Sequence, residues 1–130
     1  MEKKHLKQRT KIWMIASILV IIAAYCGIYF ADYYHADMEA MNNYVVENPI
    51  EEIVIGDNTK VYISEEPVAG FIFYPGGKVE AAAYEPLMVT CAEQGILSIL
   101  VEMPFNLAVF DINAADGLTE MYPQVDDWYF

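Results

Sequence analysis

Hydrophobic residues are distributed unevenly along the chain, and one uninterrupted apolar run lies near the N-terminus. Residues 12–30 contain no Asp, Glu, Lys or Arg. As an α-helix this run would be roughly 28 Å long at about 1.5 Å per residue, close to the bilayer hydrocarbon core of about 30 Å. The pattern therefore predicts a single transmembrane helix over residues 12–30 that contacts the lipid bilayer.

Shorter apolar segments of the kind that form strands follow later in the chain. Residues 52–55 and 60–63 flank the turn-forming sequence Gly-Asp-Asn at 56–58, which predicts a β-hairpin. Residues 70–74 form a further short apolar run that Pro75 and two glycines bring to an end. We expect a third strand over this run.

A helix and another strand are predicted next. Pro86 fits the first turn of the helix, and Gly95 fits the position after its last turn. Residues 96–101 are mostly apolar without alternation, which is typical of a strand buried on both faces of a parallel sheet. Strand, helix and strand in this order form a βαβ unit. Four residues are expected to share the buried face of the helix: Leu87, Met88, Cys91 and Ala92.

The last part of the chain carries weaker signals. Asn113 is a candidate N-cap of one more short helix, with Asp116 three positions later and Pro123 closing it. Residues 127–130 resemble the beginning of another buried strand. We therefore expect an α/β fold whose mostly parallel sheet contains the hairpin and the βαβ unit. So few strands cannot cover both faces of a sheet, so residues 50–130 are expected to be the first part of an α/β-type domain and the chain a fragment.

Charge changes sign across the apolar run. Residues 1–11 have a balance of +4, and the rest of the chain, with two bases against 18 acids, has a balance of −16. Basic residues before a membrane span predict a cytoplasmic N-terminus, with the rest of the chain outside the cell membrane. The acidic exterior argues against nucleic acid as a partner. The predicted organisation is a basic tail (1–11), an anchor (12–30), a juxtamembrane linker (31–49) and a globular part (50–130).

A cleaved signal peptide is the alternative to a retained anchor. The apolar region of a signal peptide is usually about 7–15 residues long and ends at a small-x-small cleavage site. Here the run is longer, and the sequence Tyr29-Phe30-Ala31 has a bulky residue where a small one is needed. We therefore prefer the retained anchor.

No motif for a cofactor or a metal occurs in the sequence. The phosphate-loop pattern fails at Ile72 and Val79, where it needs a glycine and a hydroxyl, and G-x-G-x-x-G is absent. Cys26 and Cys91 lie in different segments, so neither a disulfide nor a zinc site is expected. Neighbouring acids point to opposite faces of a strand, and we expect them on a solvated surface rather than around a metal: Glu51 and Glu52, Glu65 and Glu66, Asp126 and Asp127.

The serines and histidines do not suggest a Ser-His-Asp site. Ser17 lies in the apolar run, Ser98 lies in a predicted buried strand, and no serine is part of a G-x-S-x-G motif. Ser64 has no such context either, and the two histidines, His5 and His35, lie before and just after the apolar run. No catalytic residue is therefore assigned within this chain.

The clearest local feature is the sequence Phe-Tyr-Pro-Gly-Gly-Lys at 73–78, at the carboxyl end of a predicted central strand. Ligands of open α/β sheets bind at that edge. Paired glycines there allow backbone N–H groups to face a pocket and bind an oxyanion. The alternative is a tight turn in which the glycines only supply positive φ. The spacing alone leaves both possibilities open.

Five segments, in order, carry a family resemblance: residues 70–79, 84–87, 92–96, 101–110 and 113–116. They resemble a branch of the α/β-hydrolase fold. This branch comprises membrane-anchored or secreted bacterial proteins similar to the dienelactone-hydrolase group. The resemblance implies that the loop supplies an oxyanion hole through the backbone N–H groups of Gly76, Gly77 and Lys78.

The same resemblance implies which parts of the active site this chain lacks. In the family the nucleophilic serine follows the strand expected at 127–130, and the acid and the histidine come later. The complete protein is expected to be a serine hydrolase that acts on an unknown ester-type substrate without a cofactor. The chain of 130 residues alone is expected to be inactive. The alternative is a non-enzymatic, membrane-tethered interaction module.

Overall fold

The computed structural model describes the backbone of residues 2–130 and the side chains of residues 8–130. It contains two compact units, Met1–Asp32 and Tyr33–Phe130. The side chain of His5 and those of the first three lysines of the predicted basic tail lie outside the described part.

The first unit is one long helix, α1 (Glu2–Ala31). Its segment Gln8–Ala31 is long and apolar enough to cross a membrane. The hydroxyl of Ser17 donates to the carbonyl oxygen of Trp13 at 2.9 Å, so this polar side chain is satisfied within the helix. The predicted apolar helix is therefore confirmed. Its insertion into a membrane stays a prediction, because a signal sequence passes the same test of length and composition.

The second unit is built on a five-stranded sheet. Adjacent strands of the hairpin are antiparallel, the hairpin pairs antiparallel with the fourth strand, and the remaining two pairs are parallel. The sheet is therefore mixed rather than mostly parallel as predicted, because the second hairpin strand pairs directly with the fourth strand. The strands are β1 (Glu51–Ile55), β2 (Thr59–Ile63), β3 (Ala69–Phe73), β4 (Ile96–Val101) and β5 (Trp128–Tyr129), in the spatial order β1-β2-β4-β3-β5.

Two helices accompany the sheet. The short helix α2 (Met38–Asn42) precedes it, and α3 (Glu85–Glu93) connects β3 with β4. Pro86 lies in the first turn of α3, and Gly95 follows the helix with a φ of +83°, the left-handed conformation that ends many helices. The predicted hairpin, helix and βαβ unit are confirmed.

The buried face of α3 differs from the predicted one. Met88, Val89 and Ala92 are buried, whereas Leu87 is 46% exposed and Cys91 is half-buried. At about 100° per residue, the three buried positions define one face, and Leu87 lies on the other side of the helix. The sequence pattern had assigned Leu87 to the core and left out Val89.

One prediction for the last part of the chain is wrong, and another is confirmed only in part. Residues 112–118 form consecutive turns instead of a helix capped by Asn113, and only a short 3₁₀ helix, Thr119–Met121, follows. Gly117 has a φ of +78°, which a right-handed helix cannot accommodate. The predicted last strand is present as β5. It is not buried as expected, since Tyr129 is 62% exposed at the edge of the described sheet.

Both faces of the sheet carry a hydrophobic core around β4. This cover is more complete than we expected, because residues 103–125 pack on the face opposite α3. The core on the α3 side comprises Tyr62, Ala81, Met88, Val89, Ala92 and Leu100. The core on the other side comprises Val61, Ile72, Leu97, Ile99, Val101, Met103, Leu118, Tyr122 and Val125.

One polar group in the core has no hydrogen-bonding partner. The side chain of Tyr62 is 1% exposed, and its hydroxyl contacts no donor or acceptor among the described residues. Burial raises the pKa of this phenol, and the negative charges of Glu85 and Glu52 raise it further. The hydroxyl therefore stays protonated and uncharged at neutral pH.

Strand β5 is joined to the sheet by a close contact between an indole and a glycine. Gly70 of β3 pairs with Trp128, and a Cβ added to Gly70 would lie only 2.5 Å from the ring atom Cε3. The indole Nε1 donates to the carbonyl oxygen of Val125 at 3.1 Å. Position 70 therefore requires a glycine, because the aromatic ring lies directly on its backbone.

Residues 33–48, which we call the strap, fall within the segment predicted to be a linker, yet they belong to the second unit. The carboxylate of Glu93 on α3 accepts the N–H of Asn48 at 2.9 Å, the N–H of Glu47, and the hydroxyl of Tyr44 at 3.4 Å. The N–H of Asn48, with smaller contributions from the other two donors, lowers the pKa of Glu93. The strap is therefore held to α3 by a carboxylate that is most favourable when ionised.

Candidate functional site

The loop that follows β3, residues 74–80, is the candidate site, and we call it the Gly-Gly loop. It begins at the carboxyl end of a central parallel strand. Pro75 is buried, whereas Gly76 and Gly77 are exposed. The N–H of Val79 donates to the carbonyl oxygen of Gly76 at 3.2 Å and closes a tight turn. Gly76 is thus the first residue of this turn, and Gly77 and Lys78 form its tip.

The left-handed residue of this turn is Lys78, with a φ of +64°. The glycines with positive φ in the described chain are Gly56, Gly95 and Gly117, so Gly77 is not one of them. A turn whose third residue alone has positive φ is of type II. The suggestion that the paired glycines only supply positive φ is therefore wrong. Left-handed backbone costs a residue with a side chain roughly 1–2 kcal/mol.

Close packing explains the glycines better than backbone conformation does. A Cβ added to Gly76 would lie 3.1 Å from the hydroxyl oxygen of Tyr84, and one added to Gly77 would lie 3.4 Å from Cδ2 of Leu107. The first distance is tighter than an ordinary contact, whereas the second is an ordinary one. A side chain is therefore disfavoured at position 76 and tolerated at position 77.

The N–H groups of the loop are not equivalent. The N–H of Lys78 donates to the carbonyl oxygen of Asn106 at 2.8 Å. Within the described chain, the N–H groups of Gly76 and Gly77 have no acceptor. Two of the three N–H groups assigned to an oxyanion hole are therefore available to a ligand, and the third is already engaged in this conformation.

Strained backbone is concentrated where the Gly-Gly loop meets the chain after β4. Phe105 and Asn106 have φ values of +55° and +54°, and these two, with Lys78, are the non-glycine residues with positive φ in the described chain. Asn106 and Lys78 contact each other through the hydrogen bond just described. Such residues persist only where their surroundings hold them, and they cluster at functional sites.

Tyr74 holds the start of the Gly-Gly loop. Its hydroxyl accepts the N–H of Ala115 at 2.8 Å. This bond ties the end of β3 to the turns at residues 112–118, which cover the face of the sheet opposite α3.

The residues considered for nucleophilic catalysis do not meet at the loop. Ser98 is fully buried in β4, where its hydroxyl donates to the carbonyl oxygen of Ile96 at 3.0 Å. Its predicted burial is confirmed. Ser64 lies just after β2, and His35 lies in the strap, where its ring packs against Tyr33 with ring centroids 4.3 Å apart. The described part of the chain thus brings no serine–histidine pair to the Gly-Gly loop.

The six neighbouring acids are all exposed, which confirms their predicted place on the surface. In the described chain, no three side chains of His, Cys, Asp or Glu are placed to share a metal ion.

A cavity of about 160 Å³ lies at the same edge of the sheet and contains an ion pair that the sequence did not predict. Lys60 donates to Glu85 at 2.6 Å and lies 3.6 Å from Glu52. The hydrogen bond to Glu85 is the main reason why the pKa of Lys60 is raised. Glu80, at the end of the Gly-Gly loop, lines this cavity, but the two glycines do not. The cavity therefore adjoins the loop without including its free N–H groups.

One family model matches the part of the chain that contains this loop. Residues 70–130 match the family model described as the alpha/beta hydrolase family. Over these residues the chain is alpha/beta-hydrolase-like. No curated protein and no solved structure matches the chain significantly.

The alpha/beta-hydrolase-like part starts in β3 and contains the Gly-Gly loop. In this fold, one N–H of the oxyanion hole comes from the loop between the third strand and the helix that follows it. The Gly-Gly loop occupies that place, between β3 and the helical turn that begins at Ala81. The match covers residues 70–130, so it does not extend to α1, the strap or the hairpin.

Proposed function

We propose that this chain is the oxyanion-hole part of a membrane-anchored serine hydrolase of carboxylic esters, similar to the dienelactone-hydrolase group. The observation that carries the proposal is the pair of exposed, unengaged N–H groups of Gly76 and Gly77 at the carboxyl end of β3. The family match over residues 70–130 supports it. The nucleophilic serine and the histidine would be supplied by residues outside this sequence.

The chemistry of the loop follows from the charge that develops in ester hydrolysis. When a serine hydroxyl attacks an ester, negative charge builds up on the carbonyl oxygen, and N–H donors about 2.7–3.1 Å from that oxygen stabilise it. The N–H groups of Gly76 and Gly77 have this role in our proposal. We assign Lys78 a different role from the one the resemblance implied, because its N–H bonds to Asn106 and so fixes the turn.

Gly77 offers a sharp test, because proline is favoured at the second position of a type II turn. Gly77→Pro would remove one N–H donor and keep the turn. In a chain extended to include a serine elbow, we expect it to lower kcat for an aryl ester about 10²–10³-fold. Gly77→Ala is the matched control, because it keeps the N–H and its Cβ has room beside Leu107. We expect kcat of this variant to stay within about threefold of the original.

Three results would contradict the proposal. If the extended, unsubstituted chain hydrolyses no ester and reacts with no fluorophosphonate probe, the protein is not a serine hydrolase. If Gly77→Pro keeps its kcat, Gly77 is not an oxyanion donor. Stoichiometric labelling of the 130-residue chain itself, which we expect to be inactive, would require a nucleophile such as Ser64 to be assigned within it.

We propose further that residues 12–30 of α1 anchor the protein in the cell membrane, with the N-terminus in the cytoplasm. The length and apolar character of Gln8–Ala31 support this, as does the charge step from +4 to −16. The excess of acids makes a nucleic-acid partner unfavourable. A reporter that is active only in the cytoplasm should be silent when fused after Phe130, and the fusion should sediment with membranes. Cytoplasmic activity, or release of the fusion into the medium, would contradict the anchor.

A further inference from the structure

The strap pairs directly with the Gly-Gly loop. The N–H of Tyr34 donates to the carbonyl oxygen of Lys78 at 2.8 Å, and the N–H of Glu80 donates to the carbonyl oxygen of Tyr34 at 2.9 Å. These two bonds form a parallel bridge between Tyr34 and Val79. The first residues of the strap thus extend the loop as a short strand would.

A side chain of the loop strengthens this contact. The carboxylate oxygen Oε2 of Glu80 accepts the N–H of Ala36 at 2.8 Å and lies 3.5 Å from Nδ1 of His35. Glu80 therefore binds the strap with its own side chain while its N–H binds Tyr34. A carboxylate that accepts a backbone N–H forms one of the stronger hydrogen bonds available to a protein.

The left-handed Lys78 is the residue that these bonds hold. Its N–H bonds to Asn106 and its carbonyl oxygen to Tyr34, so both sides of the residue are fixed by other segments. If Lys78 relaxed to negative φ, the turn would change from type II to type I, and the peptide between Gly77 and Lys78 would flip. The carbonyl oxygen of Gly77 and the N–H of Lys78 would then exchange directions. The carbonyl oxygen of Gly77 would then face the carbonyl oxygen of Asn106, and the loop would lose the hydrogen bond that joins it to the chain after β4.

We propose that the strap sets the conformation of the Gly-Gly loop, with Glu80 as the positioning residue and the main chain of Tyr34 as its partner. The consequence for catalysis rests on the proposed function, but the positioning itself does not. In this arrangement the segment that follows α1 holds the turn that carries the N–H groups of Gly76 and Gly77.

Amide hydrogen exchange of the full chain in detergent micelles tests the positioning directly. Glu80→Ala should accelerate exchange of the Lys78 and Tyr34 amides about tenfold, because it removes a charge-assisted bond that holds the strap. The amide of Ile99 in β4 should be unaffected, since it reports global unfolding. Glu80→Gln keeps an oxygen acceptor for Ala36 and should restore most of the protection.

Glu93→Ala is the matched control, because Glu93 also binds the strap through backbone N–H groups but at its other end. It should accelerate exchange at Asn48 and leave Lys78 unchanged. Unchanged protection of Lys78 in Glu80→Ala would overturn the proposal. Equal acceleration in Glu93→Ala would also overturn it, because the strap would then act only through general stability.

The kinetics of ester hydrolysis test the catalytic consequence separately. In an extended chain that hydrolyses esters, Glu80→Ala should lower kcat about tenfold with KM within twofold, and Glu80→Gln should recover most of kcat. A kcat that is unchanged while exchange at Lys78 accelerates would show that the strap positions the loop without affecting catalysis, and would overturn the catalytic half. If the extended chain has no activity at all, the proposed function fails, while the exchange experiment still decides the positioning.

Discussion

The buried hydroxyl of Tyr62 allows a prediction with an unusual sign: removing it should stabilise the protein. A buried polar group without a partner costs about 1–3 kcal/mol. Tyr62→Phe removes that group and leaves a void of roughly 10 Å³, which costs about 0.2 kcal/mol at about 24 cal/mol per Å³. Because burial raises the pKa of Tyr62, the side chain is uncharged at neutral pH and the substitution changes no charge. We expect a net gain of about 1 kcal/mol or more.

Tyr74→Phe is the matched control, because it removes the same atom from a hydroxyl that has a partner. The N–H of Ala115 would lose its acceptor, and we expect a loss of about 0.5–1.5 kcal/mol. Both variants should be measured by urea unfolding of the full chain in one detergent, with amide exchange of β4 as an independent measure of the same free energy. A shift of 1 kcal/mol changes the midpoint by roughly 0.3–1 M urea.

The reasoning would be refuted if Tyr62→Phe destabilised the chain as much as Tyr74→Phe does. That result would mean that the hydroxyl of Tyr62 makes a hydrogen bond in solution, and that the core on the α3 side admits a partner for it. An equal gain in both variants would refute the assignment of a hydrogen bond to Tyr74.

Two further substitutions test the packing of β5 and the attachment of the strap. Gly70→Ala should destabilise the protein by about 1–3 kcal/mol and shift the emission of Trp128 to longer wavelength, because the new Cβ displaces the indole; an unchanged unfolding midpoint would contradict the contact. The lowered pKa of Glu93 means that its contribution to stability is complete above its ordinary value of 4.5 and is lost as the pH falls through the lower folded value. Urea midpoints measured from pH 6 to pH 3 should therefore fall less in Glu93→Gln than in the original chain, and parallel curves would contradict this linkage.

The elements that the sequence predicted well are those with local signals. The hairpin follows from the turn residues at 56–58, and α3 is delimited by Pro86 and Gly95, all of them close to the elements they define. The order of the strands was not predictable in the same way, because the pairing of β2 with β4 depends on contacts between distant segments. A mixed sheet resulted where a mostly parallel one was expected.

The sequence predicted the position of the candidate site but not its backbone conformation. The position of the Gly-Gly loop followed from the apolar run before it. The sequence did not indicate that Lys78 is the left-handed residue, because a glycine adopts that conformation more readily than a lysine does. The bridge between Tyr34 and Val79 and the bond from Lys60 to Glu85 join residues far apart in the chain. No periodicity or spacing marks such pairs in a single sequence.

The strap also decides where a soluble version of this protein should begin. A version that starts at residue 50 would follow the boundary suggested by the sequence. It would lack Tyr44, which packs against the hydrophobic core on the α3 side. It would also leave the N–H of Glu80 and the carbonyl oxygen of Lys78 without the partners that Tyr34 provides. A version that starts at residue 33 keeps every one of these contacts. For expression and crystallisation, residues 33–49, which look dispensable in the sequence, belong to the folded body of the protein.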